Sequence, residues 1–309
     1  MKKNENVVLV VDDVASNAQL LASILQSEYR VKIAQDGERA LELARSEPIP
    51  DIILLDVEMP DMNGFEVLKR LKAEHATKDI PVIFVTGNDA THQEERGLLE
   101  GAVDYITKPI RPVIFKARIN IHLTIKEQRD KLLFAASHDL LSGLYNRRHL
   151  AEEGGRKFSH ALRHNVPLSL IMADIDHFKH INDTYGHLMG DSVIHEVAAV
   201  LQTHKRNEDI AARYGGEEFV LVLEGCAHED ALLKAENLRR QIETLYPEGI
   251  KVSASFGVST LGENHYSFED LVKEADEALY RAKEGGKKQS MRLKTMACVH
   301  AMVFKDGEL

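Results

Sequence analysis

Two acidic constellations, VDD at residues 11–13 and GGEEF at 215–219, combine residue types that hold a divalent cation and meet a phosphate. The first is spread along the chain: apolar runs end in Asp12 and Asp13, in Asp56, in Thr86 and in Lys108. Taken singly, an aspartate after a strand is a helix N-cap or a turn residue. Three carboxylates drawn to one sheet edge, however, repel one another unless a cation sits among them. Mg²⁺ favours such sparse oxygen sites and completes its shell with water. Lys108, followed by Pro109, offers a positive charge for a phosphoryl oxygen, and the Thr86 hydroxyl offers a further contact.

The second constellation lies in RNEDIAARYGGEEFVLVLE, residues 206–224, where two glycines and two glutamates occupy the turn between apolar strands. Gly215 and Gly216 are expected to supply the positive φ of the turn and to let a phosphate approach the backbone amides. Asp174 closes an earlier strand, LSLIMADID. The order of elements from there, strand, helix, strand, strand, helix, strand, is the βαββαβ arrangement. In it the strand after the hairpin lies between the two parallel strands and runs against both. That topology puts Asp174 beside Glu217, and two close carboxylates again call for Mg²⁺, with Mn²⁺ as the alternative ion. Metal next to bare backbone reads as a nucleoside triphosphate site.

The elements that must position these groups follow from the apolar pattern. VVLVV, VKIA, DIILLD, PVIFVTG and DYIT alternate with amphipathic helical segments. Uninterrupted Val/Ile/Leu strands between helices indicate a doubly wound, flavodoxin-like parallel sheet with functional groups at the carboxyl ends of its strands. From 109 to 138 there is no glycine, and no proline after Pro112, so one long helix is expected. A heptad seam of Ile114, Arg118, Ile121, Ile125, Gln128, Leu132 and Ala135 suits a two-helix stalk; packing of the helix on its own domain is the alternative. Beyond it the α+β, ferredoxin-like half ends in the strand KVSASFGVST and a last helix.

Length and composition set bounds. With 309 residues, 44% apolar and 28% charged, the chain is expected to hold two globular domains. The net charge of −10 disfavours tracking nucleic-acid phosphates, and a DNA-reading regulator would need a basic surface that this chain lacks. No apolar stretch approaches the roughly 20 residues that span a bilayer. With only Cys226 and Cys298 able to oxidise, a reducing cytoplasm without membrane insertion is expected.

VDDVASN, LLDVEMPDMNGFEVL, PVIFVTG and DYITKP resemble the response-regulator receiver domain over roughly the first 120 residues. The resemblance implies Asp56 as phosphoacceptor, Asp12 and Asp13 as Mg²⁺ partners beside it, Thr86 and Lys108 as phosphate readers and Tyr105 as an aromatic switch. It also implies a cognate histidine kinase or phosphotransfer protein. DIDHFKHINDTYGHLMGD at 174–191, RYGGEEF, and SHDLLSGLYNRR at 137–148 resemble the GGDEF family of diguanylate cyclases. That implies a homodimer, formed on phosphorylation, in which two GTP molecules become cyclic di-GMP and two pyrophosphates.

Residue by residue, the GGDEF resemblance implies Mg²⁺ ligation by Asp174, Glu217 and the Ile175 carbonyl. Asn182 and Asp191 would read guanine. Phe178, Lys179, Gly216, Lys283 and Lys287 would line the phosphates, and Glu218 would either assist the attacking hydroxyl or complete the metal shell. Arg206 and Asp209 have the Arg-x-x-Asp spacing of the family's product-inhibition site, where cyclic di-GMP acts as inhibitor, with Arg239 or Arg240 as the second arginine. AKEGGKKQS departs from the family's Gly-Arg-Asn-like segment, and Lys287 cannot reproduce an arginine fork. The resulting division is a receiver domain over 1–122, a helical linker over 110–138, a GGDEF domain over 139–290 and a tail over 291–309. The other functional class is a catalytically silent GTP or cyclic di-GMP binding module under receiver control.

Overall fold

The computed structural model describes residues 6–87, 91–284 and 290–292. The chain divides after Lys131 into two compact units.

In the first unit the elements are β1 (Val7–Val11), α1 (Ala15–Leu25), β2 (Arg30–Ala34), α2 (Gly37–Arg45), β3 (Ile52–Asp56), α3 (Gly64–Ala73), β4 (Val82–Thr86), α4 (Thr91–Leu99) and β5 (Asp104–Thr107). The strands form a parallel sheet in the order β2-β1-β3-β4-β5, the flavodoxin-like order. Strands β1, β3 and β4 are buried along their whole length, as a sheet covered on both faces demands. Leu41, Val67, Leu68 and Phe84 pack on one face; Leu21, Leu25, Ile83 and Phe115 pack on the other. Side-chain caps fix two helix starts: Asp36 accepts from the Arg39 amide and Asn63 from the Glu66 amide.

Helix α5 (Pro112–Ser137) is the continuous helix expected from the sequence. Its buried residues are Phe115, Ile119 and Leu123, one stripe at i, i+4 and i+8, so this part of the helix packs on its own unit. The heptad positions Ile114, Ile121, Ile125 and Leu132 are exposed. Arg118, also in that register, donates to Asp104 Oδ1 at 2.7 Å and to the Tyr105 carbonyl at 3.1 Å.

The second unit holds α6 (Arg147–His164), β6 (Leu168–Ile175), α7 (Phe178–Tyr185), α8 (His187–His204), β7 (Ile210–Gly215), β8 (Glu218–Glu224), α9 (His228–Glu243), β9 (Ala254–Thr260), α10 (Phe268–Glu284) and β10 (Ser290–Arg292). The sheet order is β10-β9-β6-β8-β7. Strand β8 lies between β6 and β7, antiparallel to both, as the βαββαβ pattern requires. The last core strand starts at Ala254, later than the KVS of the sequence pattern. Residues 290–292 add a short parallel edge strand on β9, so the segment expected to be a tail begins as a strand; 293–309 lie outside the described residues.

Helices α7, α8 and α9 cover one face of this sheet through Ile181, Val193, Val197 and Leu238. Helices α6 and α10 cover the other through Leu150, Phe158, Leu271 and Leu279. Helix α10 sits close because β9 carries Gly257. A Cβ there would lie 2.1 Å from the Ala275 carbonyl oxygen and 2.3 Å from the Leu279 nitrogen, both backbone atoms. Gly257→Ala is expected to destabilise the second unit by about 2 kcal/mol, in the range of core overpacking. Hydrogen exchange on the full chain should then quicken in β9 and α10 and stay unchanged in β1 to β5.

Candidate functional site

Parallel order brings the ends of β1, β3, β4 and β5 to one edge. The carboxylate oxygens of Asp12, Asp13 and Asp56 offer one ligand atom each within 4.8 Å of one another. Three oxygen donors without a nitrogen or sulfur ligand fit a hard ion of the Mg²⁺ type. Lys108 Nζ bridges two of them, donating to Asp12 Oδ2 at 2.8 Å and to Asp56 Oδ2 at 2.6 Å. Burial pushes the Asp56 carboxyl above its usual range; Lys108 opposes that shift and Asp12 adds to it. The Asp12 side chain also accepts from the Val14 amide and from Asn17. Thr86 is buried at the end of β4, where its carbonyl accepts from the Lys108 amide at 2.8 Å. Tyr105 is buried and meets Phe84 edge-on, ring centroids 6.4 Å apart.

In the second unit, pairing of β6 with β8 sets Asp174 opposite Glu218, and the Ile175 amide donates to the Glu217 carbonyl at 3.3 Å. Asp174 is buried, and Lys283 Nζ from α10 lies 2.7 Å from its Oδ2. Burial raises the Asp174 carboxyl against the pull of Lys283, and the charges of Glu217 and Asp176 raise it further. Glu218 is likewise raised, by burial first and then by Asp174 and Asp276. Asp174, the residue paired with Lys283, thus lies within electrostatic reach of Glu217 and Glu218 at the hairpin; among the described residues only the acids of the first unit converge within 4.8 Å as a metal-type cluster. Glu218 also borders two cavities. One, of 480 Å³, is lined by Asp276, Tyr280, Arg281 and Lys283; the other, of 380 Å³, by Arg147, Tyr214, Phe268 and Lys273.

Of the two turn glycines only Gly216 has a positive φ, +53°; the expectation that Gly215 shares it is corrected. A register shift between Arg213 and Gly215 absorbs the extra residue, so Gly215 remains the last residue of β7.

Asn182 and Asp191 stand on α7 and α8, across the sheet from α10. Asn182 Oδ1 is buried without a hydrogen-bond partner among the described residues. It presses on Gly190, where a Cβ would lie 1.9 Å away. An orphaned buried acceptor costs about 1–3 kcal/mol, and no described residue supplies the donor this oxygen lacks. Asp191 and Lys179 are exposed and Phe178 is buried. Lys287 lies outside the described residues.

Arg206 is exposed, whereas Asp209 is buried and already engaged. Its Oδ2 accepts from the Arg206 amide at 2.9 Å and from Lys234 Nζ at 3.0 Å. Arg239 is buried between Glu236 and Glu243, which leaves Arg240 as the exposed member of that pair.

The family model for the response regulator receiver domain matches residues 8–120, and that for the diguanylate cyclase, GGDEF domain matches 136–289. The chain carries a receiver domain followed by a GGDEF domain. It is 33% identical over 293 residues to the response regulator PleD of Caulobacter vibrioides, a match covering 91% of this chain and 64% of PleD. It therefore spans less than two thirds of that relative's length. Diguanylate cyclase A of Treponema denticola is 44% identical over 124 residues, 39% of this chain and 33% of that protein. Among solved structures, the coiled coil and GGDEF domain of DgcB from Caulobacter crescentus, in complex with c-di-GMP, superposes with a TM-score of 0.51 at 28% identity. It covers 57% of this chain and 95% of that one.

Within the GGDEF domain the sequence reading missed the residue that holds the turn. Arg213 donates to the Gly216 carbonyl from Nε at 2.9 Å and from Nη2 at 2.7 Å, and its Nη1 lies 3.0 Å from Asp139 Oδ1. Burial works to raise Asp139, but the Ser142 amide and hydroxyl and the Arg213 guanidinium hold it below the usual carboxylate range. Asp176, two residues beyond Asp174, was also missed; it accepts from the Ser253 and Ser255 hydroxyls at 2.8 and 2.7 Å. Its signal was the second acid of DID, and that of Arg213 was its place before YGGEEF. Arg213→Ala is expected to lower nucleotide turnover at least tenfold, about 1.4 kcal/mol or more in the barrier. Arg213→Lys should restore part of it, because a single ammonium can still reach the Gly216 carbonyl. Steady-state rates of the purified variants check this.

Proposed function

We propose that the chain is a receiver-controlled diguanylate cyclase that joins two GTP molecules into cyclic di-GMP and releases two pyrophosphates. The observation that carries this reading is the pairing of Asp174 with Lys283 opposite Glu218 at a glycine turn, with the buried Asn182 oxygen that no described residue satisfies on the other face of the sheet. The bound product in the DgcB structure and the name of the Treponema relative support it.

In this reading guanine lies against Asn182 and Asp191. The amide presents both an acceptor and a donor, and the carboxylate accepts from the N1–H and the N2 amine. The chain then crosses the end of β6, where Phe178 and Lys179 flank the phosphates and Lys283 holds a non-bridging oxygen, with Lys287 as a further cation. Asp174, Glu217 and the Ile175 carbonyl would hold Mg²⁺, which would supply charge neutralisation on the phosphates. Glu218, its proton affinity raised by burial and neighbouring acids, takes the proton of the 3′-hydroxyl. The oxygen forms a bond to the α-phosphorus of the other GTP as the bond to pyrophosphate breaks. Positioning and charge dominate such chemistry.

Each GGDEF domain supplies one nucleotide, so two copies must face each other. The exposed seam of Ile114, Ile121, Ile125 and Leu132 on α5 is the surface we assign to that pairing. Phosphorylation of Asp56 by a histidine kinase or phosphotransfer protein, with Mg²⁺ held by Asp12, Asp13 and Asp56, favours the paired form. Lys108 and Thr86 contact the phosphoryl group, and Tyr105 reports it to α5. We place the reaction in the cytoplasm, where GTP and phosphodonor are found.

Nucleotide chromatography after incubation with GTP and Mg²⁺, with and without beryllofluoride, tests both halves of the proposal. Cyclic di-GMP that increases with the phosphoryl mimic is expected, and Asp56→Ala should lose the increase while keeping basal turnover. GTP that binds but remains unchanged in both conditions would favour the silent binding module instead.

We also assign Arg206, with Asp209 fixing its backbone and Arg240 nearby in sequence to the buried Arg239, to product inhibition. Arg206→Ala is expected to raise the cyclic di-GMP concentration needed for half-inhibition at least tenfold with little change in the initial rate. Unchanged inhibition would remove the assignment.

A further inference from the structure

Apart from both acidic sites, α6 carries His160 and His164, one helical turn apart on the same face, with ring centroids 4.5 Å apart. Both are exposed. His160 Nδ1 lies 3.1 Å from Glu224 Oε1 at the end of β8. Glu224 is in turn hydrogen-bonded to Lys157 on α6. Apart from its ring contact, His164 has no hydrogen bond or ion pair among the described residues.

This arrangement has the parts of a transition-metal site. Histidines four residues apart on a helix project from one face and reach a common ion. An imidazole whose Nδ1–H is directed at a carboxylate has its Nε2 lone pair fixed in direction and made a better donor to metal, the usual support for a metal-binding histidine. Here Glu224 is the supporting carboxylate, and its hydrogen bond to Lys157 holds it in place. Metal–imidazole bonds of about 2 Å are compatible with two rings in contact. A donor set of two imidazoles selects late first-row ions over Mg²⁺ or Ca²⁺, which prefer oxygen.

We propose that His160 and His164, with Glu224 orienting His160, form a binding site for one Zn²⁺, Ni²⁺ or Cu²⁺ ion whose remaining positions are open to water. The site is independent of the cyclase reading. It lies at the far end of β8 from Glu218, roughly 20 Å away along a strand of this length.

Calorimetric titration of the full chain with Zn²⁺, in buffer with excess Mg²⁺ to fill the oxygen sites, tests the site. The chain has 15 histidines, so the difference between the native chain and a variant carrying both His160→Ala and His164→Ala is the readout. A component of one ion per chain is expected in the native protein and absent from the double variant. Each single variant should weaken it at least tenfold, and Glu224→Gln about tenfold, the usual effect of losing a supporting carboxylate. His164→Gln, which keeps a polar helix-forming side chain, should behave like His164→Ala, with circular dichroism unchanged. Superimposable Zn²⁺ titrations of the native chain and the double variant would overturn the proposal. So would a component in Glu224→Gln as strong as in the native chain.

Discussion

Carboxylates packed at a strand end are costly to bury and repel one another, and a partner cation must answer both costs at once. Each unit of this chain meets the demand with a single lysine. In the first, Lys108 bridges Asp12 and Asp56; in the second, Lys283 pairs with Asp174 while Glu217 and Glu218 crowd beside it. Neither lysine neutralises all the acids around it. Excess negative charge therefore remains at both places. The lysines come late in each unit's sequence, Lys108 directly after β5 and Lys283 near the end of α10, so each acid waits for distant chain to supply its cation.

The two units reach this balance through opposite strand geometries. A parallel sheet collects strand ends because every strand finishes at the same edge, so Asp12, Asp56, Thr86 and Lys108 need no turn to bring them together. An antiparallel sheet puts the end of one strand beside the start of its neighbour. The acids of the second unit therefore come from the close of β6 and the turn before β8. That turn has to be tight, open above its backbone, and fixed. Gly216 meets the first two requirements, and the grip of Arg213 on its carbonyl meets the third.

Much of this was legible in the sequence because it depends on period and order. Uninterrupted apolar runs mark the buried strands β1, β3 and β4, and the βαββαβ order is enough to set Asp174 against the hairpin. What escaped depends on pairings between distant polar residues. Nothing in the spacing of Asp139 and Arg213 joins them, since the pair exists only once the segment before α6 lies against β7. Which of two adjacent glycines takes the positive φ is decided by the register shift at Arg213, a property of the ladder and not of the dipeptide. Asp209 in an Arg-x-x-Asp pattern looks free to meet a ligand. The fold instead uses it to cap its own turn and to pair with Lys234, the local competition to which short acidic side chains are prone.

Helix α5 shows how one periodicity can hide another. Phe115, Ile119 and Leu123 recur every four residues, and Ile114, Ile121, Ile125 and Leu132 follow the heptad spacing of seven, four and seven. At 100° per residue the two stripes lie roughly 140° apart around the helix axis. A helix with two apolar stripes reads as weakly amphipathic, although each stripe alone is well ordered. The first stripe packs on the sheet of its own unit; the second faces solvent. Burying the first therefore leaves the second exposed, and the packed-helix reading of the sequence holds for the first stripe. Arg118 separates them: although it falls in the heptad register, it reaches Asp104 and the Tyr105 carbonyl. One side chain at the edge of the solvent-facing stripe is thereby tied to β5, the strand that precedes Lys108, so a shift of β5 has a direct mechanical route to the surface of α5.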